Sequence, residues 1–256
     1  MALHTELPIY RTGCVCLTWQ SEKCDHANFF VSIYKPVLQE QLQRQVIEPW
    51  WMSLANVILM HDPRNDVDVR GTRAELALVP PHKRLFNAPD GYGLPIGNLS
   101  SQFFANVLLD DLDQFVKHGL RAPTYVRYVD DFVLLHHSPQ WLAQAKAQIE
   151  SKLADLHLQL NPRKTILQPV ERGIDFVGHL VKPWHRITRR HTVHVALRRL
   201  QDMPAAELHQ SANSYFGLLR QATHSHHDRT RIASLLLQRG HVVQGDFTKT
   251  YRRTKP

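Results

Sequence analysis

Asp130 and Asp131 are adjacent carboxylates inside an otherwise apolar, β-rich run from Tyr125 to Leu135. Burying unpaired charge is heavily penalised, so the pair must stand at an exposed hairpin tip or be neutralised by cations. A bare Asp-Asp also reads as a plain solvated turn, since Asp is common in turns. Here both flanking arms are apolar, which makes the tip project from a core sheet. Phosphoryl transfer suits two hard cations about 4 Å apart, one activating a hydroxyl and one neutralising a triphosphate and its leaving group. Mg2+ prefers carboxylate oxygens and keeps several waters. One tip cannot clamp two ions, so another carboxylate is needed. Asp25, followed by the aromatic pair Phe29-Phe30, is the candidate. Taken alone it reads as well as a helix N-cap or turn residue.

The elements that must position these groups follow from periodicity. Val15 to Trp19 reads as a strand, interrupted by Gln20 to Lys23. Leu38, Leu42, Val46 and Ile47 recur at helix spacing within a helical stretch from Pro36 to Met60. His61 to Gly71 is polar and reads as a loop, and Glu75 to Leu85, with Pro80-Pro81, as extended chain. Gly91 to Asn98 is a glycine-punctuated turn. Beyond it an amphipathic helix places Leu99, Phe103, Phe104, Val107, Leu108, Leu112, Phe115 and Val116 on one broad face, and Gly119 is set to end it. Ser138-Pro139 is a helix start, with Leu142, Ala145, Ile149, Leu153 and Leu156 at helix spacing. Ile174 to Val181 reads as another short strand or hairpin, and from Val193 onward the pattern is helical and basic. This order predicts an α+β sheet domain followed by a small helical domain.

Composition narrows the partners. The net charge is +8, but from Lys182 onward 14 Lys and Arg face 4 Asp and Glu, while the preceding 181 residues hold 17 against 19. The whole positive excess therefore lies in the C-terminal part, which suggests a polyanion-binding element with nucleic acid as the leading partner, or a solvated basic tail. No apolar run approaches the ~18 residues of a membrane span, so no membrane association is expected. Cys14, Cys16 and Cys24 cluster near the start without a disulfide pattern or an evident export signal, which points to a reducing, cytoplasmic setting. His136-His137 and His224 to His227 lack companion ligands at zinc spacing.

Several segments, in order, resemble reverse transcriptases, which are RNA-directed DNA polymerases. Asp25 to Phe30 resembles their first catalytic motif, Gly93 to Gln102 their nucleotide-pocket motif, and Tyr128-Val129-Asp130-Asp131 their metal-binding motif. Leu160 to Thr165 and Phe176-Val177-Gly178 resemble two later motifs. The pocket version, Ile96-Gly97-Asn98 ending in Ser101-Gln102, resembles that of diversity-generating retroelements rather than the Gln-Gly form of most group II intron-like enzymes. Pro80 to Lys83 and Asn213 to Gly217 fit the same group.

The resemblance implies a right-hand palm, an antiparallel sheet with packed helices, followed by a small helical thumb. It implies an irregular remnant of fingers over residues 1–24, a palm over 25–185 and a basic thumb over 186–256. Asp25, Asp130 and Asp131 would hold two Mg2+ ions. Phe30 would stack under the incoming sugar, Gly97 would let the backbone approach the nucleotide, and Ile96 and Gln102 would line the pocket. Lys164 would sit near the triphosphate, and Arg189, Arg190, Arg198 and Arg199 would grip the template–primer duplex. The implied partners are an RNA template, a cDNA or primer strand, dNTPs and a small basic accessory protein. With only 24 residues before Asp25, the expectation is that most of the fingers are missing and that the isolated chain has little or no polymerase activity, because its grip on the triphosphate is incomplete. A nucleic-acid-binding remnant and a retron-like or defence-related enzyme are the alternatives.

Overall fold

The computed structural model describes residues 15–19 (backbone only), 29–81, 84–162 and 164–251. Cys14, Cys24, Asp25, His82-Lys83 and Arg163 lie outside them. The chain divides into two compact units, one over Gly13–Gln168 and one built on Pro169–Pro256.

In the first unit, strand β1 (Val15–Trp19) is followed by the short helix α1 (Phe29–Ser32) and by α2 (Lys35–Gln45) and α3 (Pro49–Met60). The single helical stretch expected over Pro36–Met60 is broken because Pro49 drives its predecessor, Glu48, out of the α region to φ −74°, ψ 120°. α2 buries Leu38 and Leu42, whereas Ile47, beyond the helix end, is 92% exposed. α3 carries no charge, yet Leu59 is its buried residue; Trp50, Trp51, Leu54, Val57 and Ile58 are exposed.

The next helix, α4 (Arg73–Ala77), corrects the expectation of extended chain from Glu75 onward. Thr72 and Glu75 form a capping box: the Glu75 amide donates to Thr72 Oγ1 and the Thr72 amide to Glu75 Oε2. That local pairing starts a helix, and Pro80-Pro81 prevents its extension. Helix α5 (Leu99–Gln114) continues into a wider π-type turn, Phe115–Gly119. Its buried face is Phe104, Ala105, Leu108, Leu109 and Leu112, continued by Val116. Leu99 and Phe103, expected on that face, are exposed. Phe103 lies about 100° around the helix from Phe104, and Leu99 stands at the very start.

Strands β2 (Thr124–Tyr128) and β3 (Asp131–His136) form a hairpin. Ser138 then caps α6 (Pro139–Asp155), its Oγ accepting from the Trp141 amide at 3.2 Å, and Leu142, Ala145, Ile149 and Leu153 are buried as their spacing predicts. Strand β4 (Ile166–Pro169) completes a four-stranded sheet of order β2-β3-β1-β4. β1 pairs with β3 antiparallel, Leu17 opposite Leu134. The core of this unit lies between that sheet and helices α2, α5 and α6.

The second unit opens with a three-stranded antiparallel sheet: β5 (Ile174–Phe176), β6 (His179–Val181) and β7 (Arg186–Thr188). The expected hairpin is there with one strand more. Helices α7 (Arg190–Asp202), α8 (Ala205–Leu219) and α9 (His226–Gln238) pack around Val193, Leu200, Leu208, Phe216, Ile232 and Leu236. Arg239 closes the C-terminal end of α7 by donating to the Leu200 and Met203 carbonyls at 2.8 Å. Strands β8 (Val242–Val243) and β9 (Thr250–Tyr251) end the described chain. The architecture is α+β, as the sequence predicts. Among the described residues no helix is long and apolar enough to cross a membrane.

Candidate active site

The acidic pair occupies the tip of the β2–β3 hairpin. Tyr128 pairs with Asp131, which leaves Val129 and Asp130 as a two-residue turn. Both carboxylates are partly exposed, while Phe132 to Leu135 directly behind them are buried. The apolar arms thus hold the charges out of the core, as the pattern requires. The turn is tight enough to force Val129 to φ +56°. For a β-branched residue this left-handed conformation is an outlier costing roughly 1–2 kcal/mol.

A polar cluster behind the tip sustains that conformation. Arg127 on β2 donates from Nη1 to the Val129 carbonyl at 2.7 Å and to Asn106 Oδ1 at 3.0 Å. Its Nε and Nη2 form a bidentate pair with Asp113, at 2.8 and 2.6 Å, and the Tyr125 hydroxyl donates to the same carboxylate at 2.7 Å. Asn106 and Asp113 lie on one face of α5, two turns apart, and Tyr125 and Arg127 on one face of β2. Burial disfavours the Arg127 charge, but the bonds and charge of Asp113 outweigh it and its pKa is raised. Burial and then the Asp113 charge push the Tyr125 phenol well above its ordinary range.

The glycine turn docks against the segment that begins at Phe29. Leu94 donates its amide to the Phe30 carbonyl at 2.7 Å, Gly93 to that of Ile33 at 2.9 Å, and Lys35 to that of Gly91 at 2.8 Å. Gly93 has φ +89°, which strains any side chain, and a Cβ there would come within 2.5 Å of Leu85 Cδ1, so that the leucine would have to move. Gly97 has φ +107° with open space where a Cβ would point; its requirement is conformational. The turn leads directly into α5, so one helix links the glycine turn to the cluster behind the acidic tip.

The expected nucleotide-pocket residues are distributed along this frame. Phe30 is half-buried on α1, its ring edge-on to Phe29 at 5.4 Å. Ile96, in the turn, and Gln102, in the first turns of α5, are exposed. A cavity of about 270 Å3 opens beside the turn, lined by Leu94, Asn98, Ser101 and Phe104 from this side and by Val57 and Leu59 of α3. Lys164 is half-buried in a turn organised by buried Asn161, whose carbonyl accepts from the amides of Lys164 and Thr165.

The arginines belong to the second unit. Arg190, Arg198 and Arg199 lie exposed on α7, which buries Val193, Ala196 and Leu200. Arg189 is tied to Asp175 by an ion pair of 2.5 Å, so part of its charge is already matched. Burial raises the Asp175 pKa, with Arg189 acting against that rise.

Among the described residues no group of three or more His, Cys, Asp or Glu converges as a metal set. The tip itself fits divalent cations by chemistry: it offers two hard carboxylates at a partly exposed position backed by an apolar sheet. Asp25, the expected third ligand, lies outside the described residues. Asp113, Arg127, Asn106 and Tyr125 were not anticipated from sequence. The available signal was Arg127 itself, a charge within an apolar strand that burial obliges to find a partner.

A family model described as reverse transcriptase (RNA-dependent DNA polymerase) matches residues 23–181. The curated proteins contain no match. Among solved structures the chain is similar to a telomerase from Candida albicans in complex with a fragment of telomeric RNA, with a TM-score of 0.42 and 15% identity over 87% of this chain. The alignment spans 39% of that telomerase chain.

Proposed function

The chain belongs to the reverse transcriptase family, and from that premise we propose that it is an RNA-directed DNA polymerase whose catalytic centre is the Asp130–Asp131 tip. The observation that carries this reading is the tip itself: two carboxylates on a two-residue turn, projected from a buried apolar sheet within the segment that the family model covers.

In this reading residues 25–185 are the palm and 186–256 the thumb. Asp130 and Asp131, with Asp25, hold two divalent cations, Mg2+ first among them. When bound, such ions supply charge stabilisation for nucleotidyl transfer and lower the pKa of the attacking hydroxyl. The chain's own groups do the rest. Phe30 supports the sugar of the incoming dNTP and disfavours a 2′-hydroxyl. Gly97 leaves room for the nucleotide, Ile96 and Gln102 flank the base, and Lys164 lies near the triphosphate. Arg190, Arg198 and Arg199, with Arg189, meet the phosphates of the RNA template and cDNA strand, a contact that fixes position without reading sequence. The version of the pocket motif favours a diversity-generating retroelement, a cytoplasmic enzyme working with a small basic accessory protein.

Primer extension on poly(rA)/oligo(dT) by the purified chain tests the reading. Addition of dTMP by the wild type above background supports the polymerase reading and overturns the expectation that the isolated chain is inactive, and Asp130→Asn or Asp131→Asn is then expected to lower the rate by up to roughly 10³-fold, equivalent to about 4 kcal/mol of transition-state stabilisation. Duplex binding without extension by the wild type would leave only the nucleic-acid-binding reading.

A further inference from the structure

The cluster behind the tip does more than satisfy buried charges. Val129 is held at φ +56°, which valine leaves readily when nothing restrains it. Its carbonyl, the group that swings if φ relaxes, is bonded to Arg127 Nη1. The remaining faces of that guanidinium are fixed by Asp113 and Asn106 on α5, and Asp113 is fixed in turn by the Tyr125 hydroxyl. With Nε, Nη1 and Nη2 all engaged, the fork has one orientation, which a lysine ammonium cannot reproduce.

We infer that Arg127, braced by Asp113, Tyr125 and Asn106, is a positioning residue that locks the acidic turn in the one backbone conformation that presents Asp130 and Asp131 to divalent cations. This rests on the proposal that the tip binds metal. Relaxing Val129 would rotate the Val129–Asp130 peptide and re-aim the Asp130 carboxylate. The strain in Val129 and the clamp on its carbonyl are two halves of one device.

The test uses the full chain with Arg127→Lys, Val129→Gly and the two combined. Lysine keeps a positive charge opposite Asp113, and glycine adopts positive φ without restraint. Mn2+ binding is followed by the electron-spin signal of the free ion, and primer extension is measured against Mg2+ concentration. Arg127→Lys is expected to weaken Mn2+ binding and raise the Mg2+ needed for half-maximal rate, each by roughly 10- to 100-fold. Adding Val129→Gly is expected to restore most of both, a rescue that a purely structural ion pair would not show.

Unchanged Mn2+ binding in Arg127→Lys overturns the inference, and so does a loss that glycine does not restore. A wild type that binds no Mn2+ through Asp130 and Asp131 overturns it too. A wild type without extension, whose Mn2+ binding nevertheless depends on Arg127, supports the clamp while sinking the polymerase reading. Should Arg127→Lys lower the melting temperature, Asn106→Ala at its exposed position leaves the ion pair intact. A shift in its Mn2+ midpoint supports the clamp, and no shift counts against it.

Discussion

The β2–β3 and β5–β6 hairpins solve one geometric problem with different chemistry. Each joins its strands through two residues, and each starts its turn with a valine at positive φ: Val129 at +56° and Val177 at +48°. In β5–β6 the second turn residue is Gly178 at φ +83°, a pairing suited to the primed turns that match strand twist. The Val177 carbonyl there meets the neighbouring His179 Nδ1, at 3.2 Å. In β2–β3 the second position is Asp130, and the Val129 carbonyl is gripped by an arginine braced from another helix. Each hairpin also carries, one residue pair from its turn, one member of an arginine–aspartate pair: Arg127 of β2 with Asp113 of α5, and Asp175 of β5 with Arg189. The Arg127–Asp113 side chains are 11% and 18% exposed, the Arg189–Asp175 side chains 39% and 41%. A glycine makes a tight turn easy. A turn that must carry carboxylates gives up that ease and draws its rigidity from buried tertiary contacts instead.

Four substitutions bear on this contrast, and the strongest removes the brace. Asp113→Ala leaves the Arg127 charge buried without its partner and is expected to cost about 3–5 kcal/mol in urea unfolding. A loss below about 1 kcal/mol would make the two ion pairs equivalent and dissolve the distinction.

Next, Tyr125→Phe deletes a hydrogen bond to a carboxylate and is expected to cost about 1.5–3 kcal/mol at neutral pH. The Tyr125 pKa is raised on folding, so the fold favours the neutral phenol. Its contribution is complete below the unfolded value of about 10 and falls as pH rises beyond it. The wild type should therefore lose stability above pH ~10 more steeply than Tyr125→Phe, as pH-dependent melting would show.

In the other hairpin, Gly178→Ala puts a Cβ at φ +83°, where the nearest atom, Leu218 Cδ1, is 3.7 Å away. The cost is then conformational, roughly 1–2 kcal/mol, and primer extension per folded molecule should change little. The smallest effect is expected from Asp175→Asn. Its half-exposed pair is screened by solvent, and the loss in urea unfolding should stay below about 1 kcal/mol.

Local signals in the sequence were read correctly where the physics is local. Ser138-Pro139 started α6, and the spacing of Leu142, Ala145, Ile149 and Leu153 named its buried face. The apolar arms around Asp130-Asp131 placed a hairpin tip between them. The capping box of Thr72 and Glu75 is equally local and starts the short helix α4, although Pro80-Pro81 close behind it predicts extended chain. Elsewhere periodicity misled. Leu99 and Phe103 fit an apolar stripe but are exposed, and α3, apolar along its length, buries Leu59 and leaves both tryptophans in the open. Hydrophobic spacing marks a face; which face meets a neighbour depends on where the neighbour sits.

The sequence by itself determined the family, the α+β order of elements and the position of the acidic tip, because motif spacing and strand alternation are written along the chain. Only the tertiary structure decided how the tip is held. Arg127 lies close to Asp130 in sequence, but its partners Asn106 and Asp113 come from a helix on the far side of a turn, and they meet it only when α5 packs against β2. The docking of the glycine turn on the Phe30 and Ile33 carbonyls is of the same kind. Such contacts join groups with no fixed separation along the chain, so residue spacing does not encode them. They form because a buried charge and a buried carbonyl must each find a partner, and the packed fold decides which partners lie within reach.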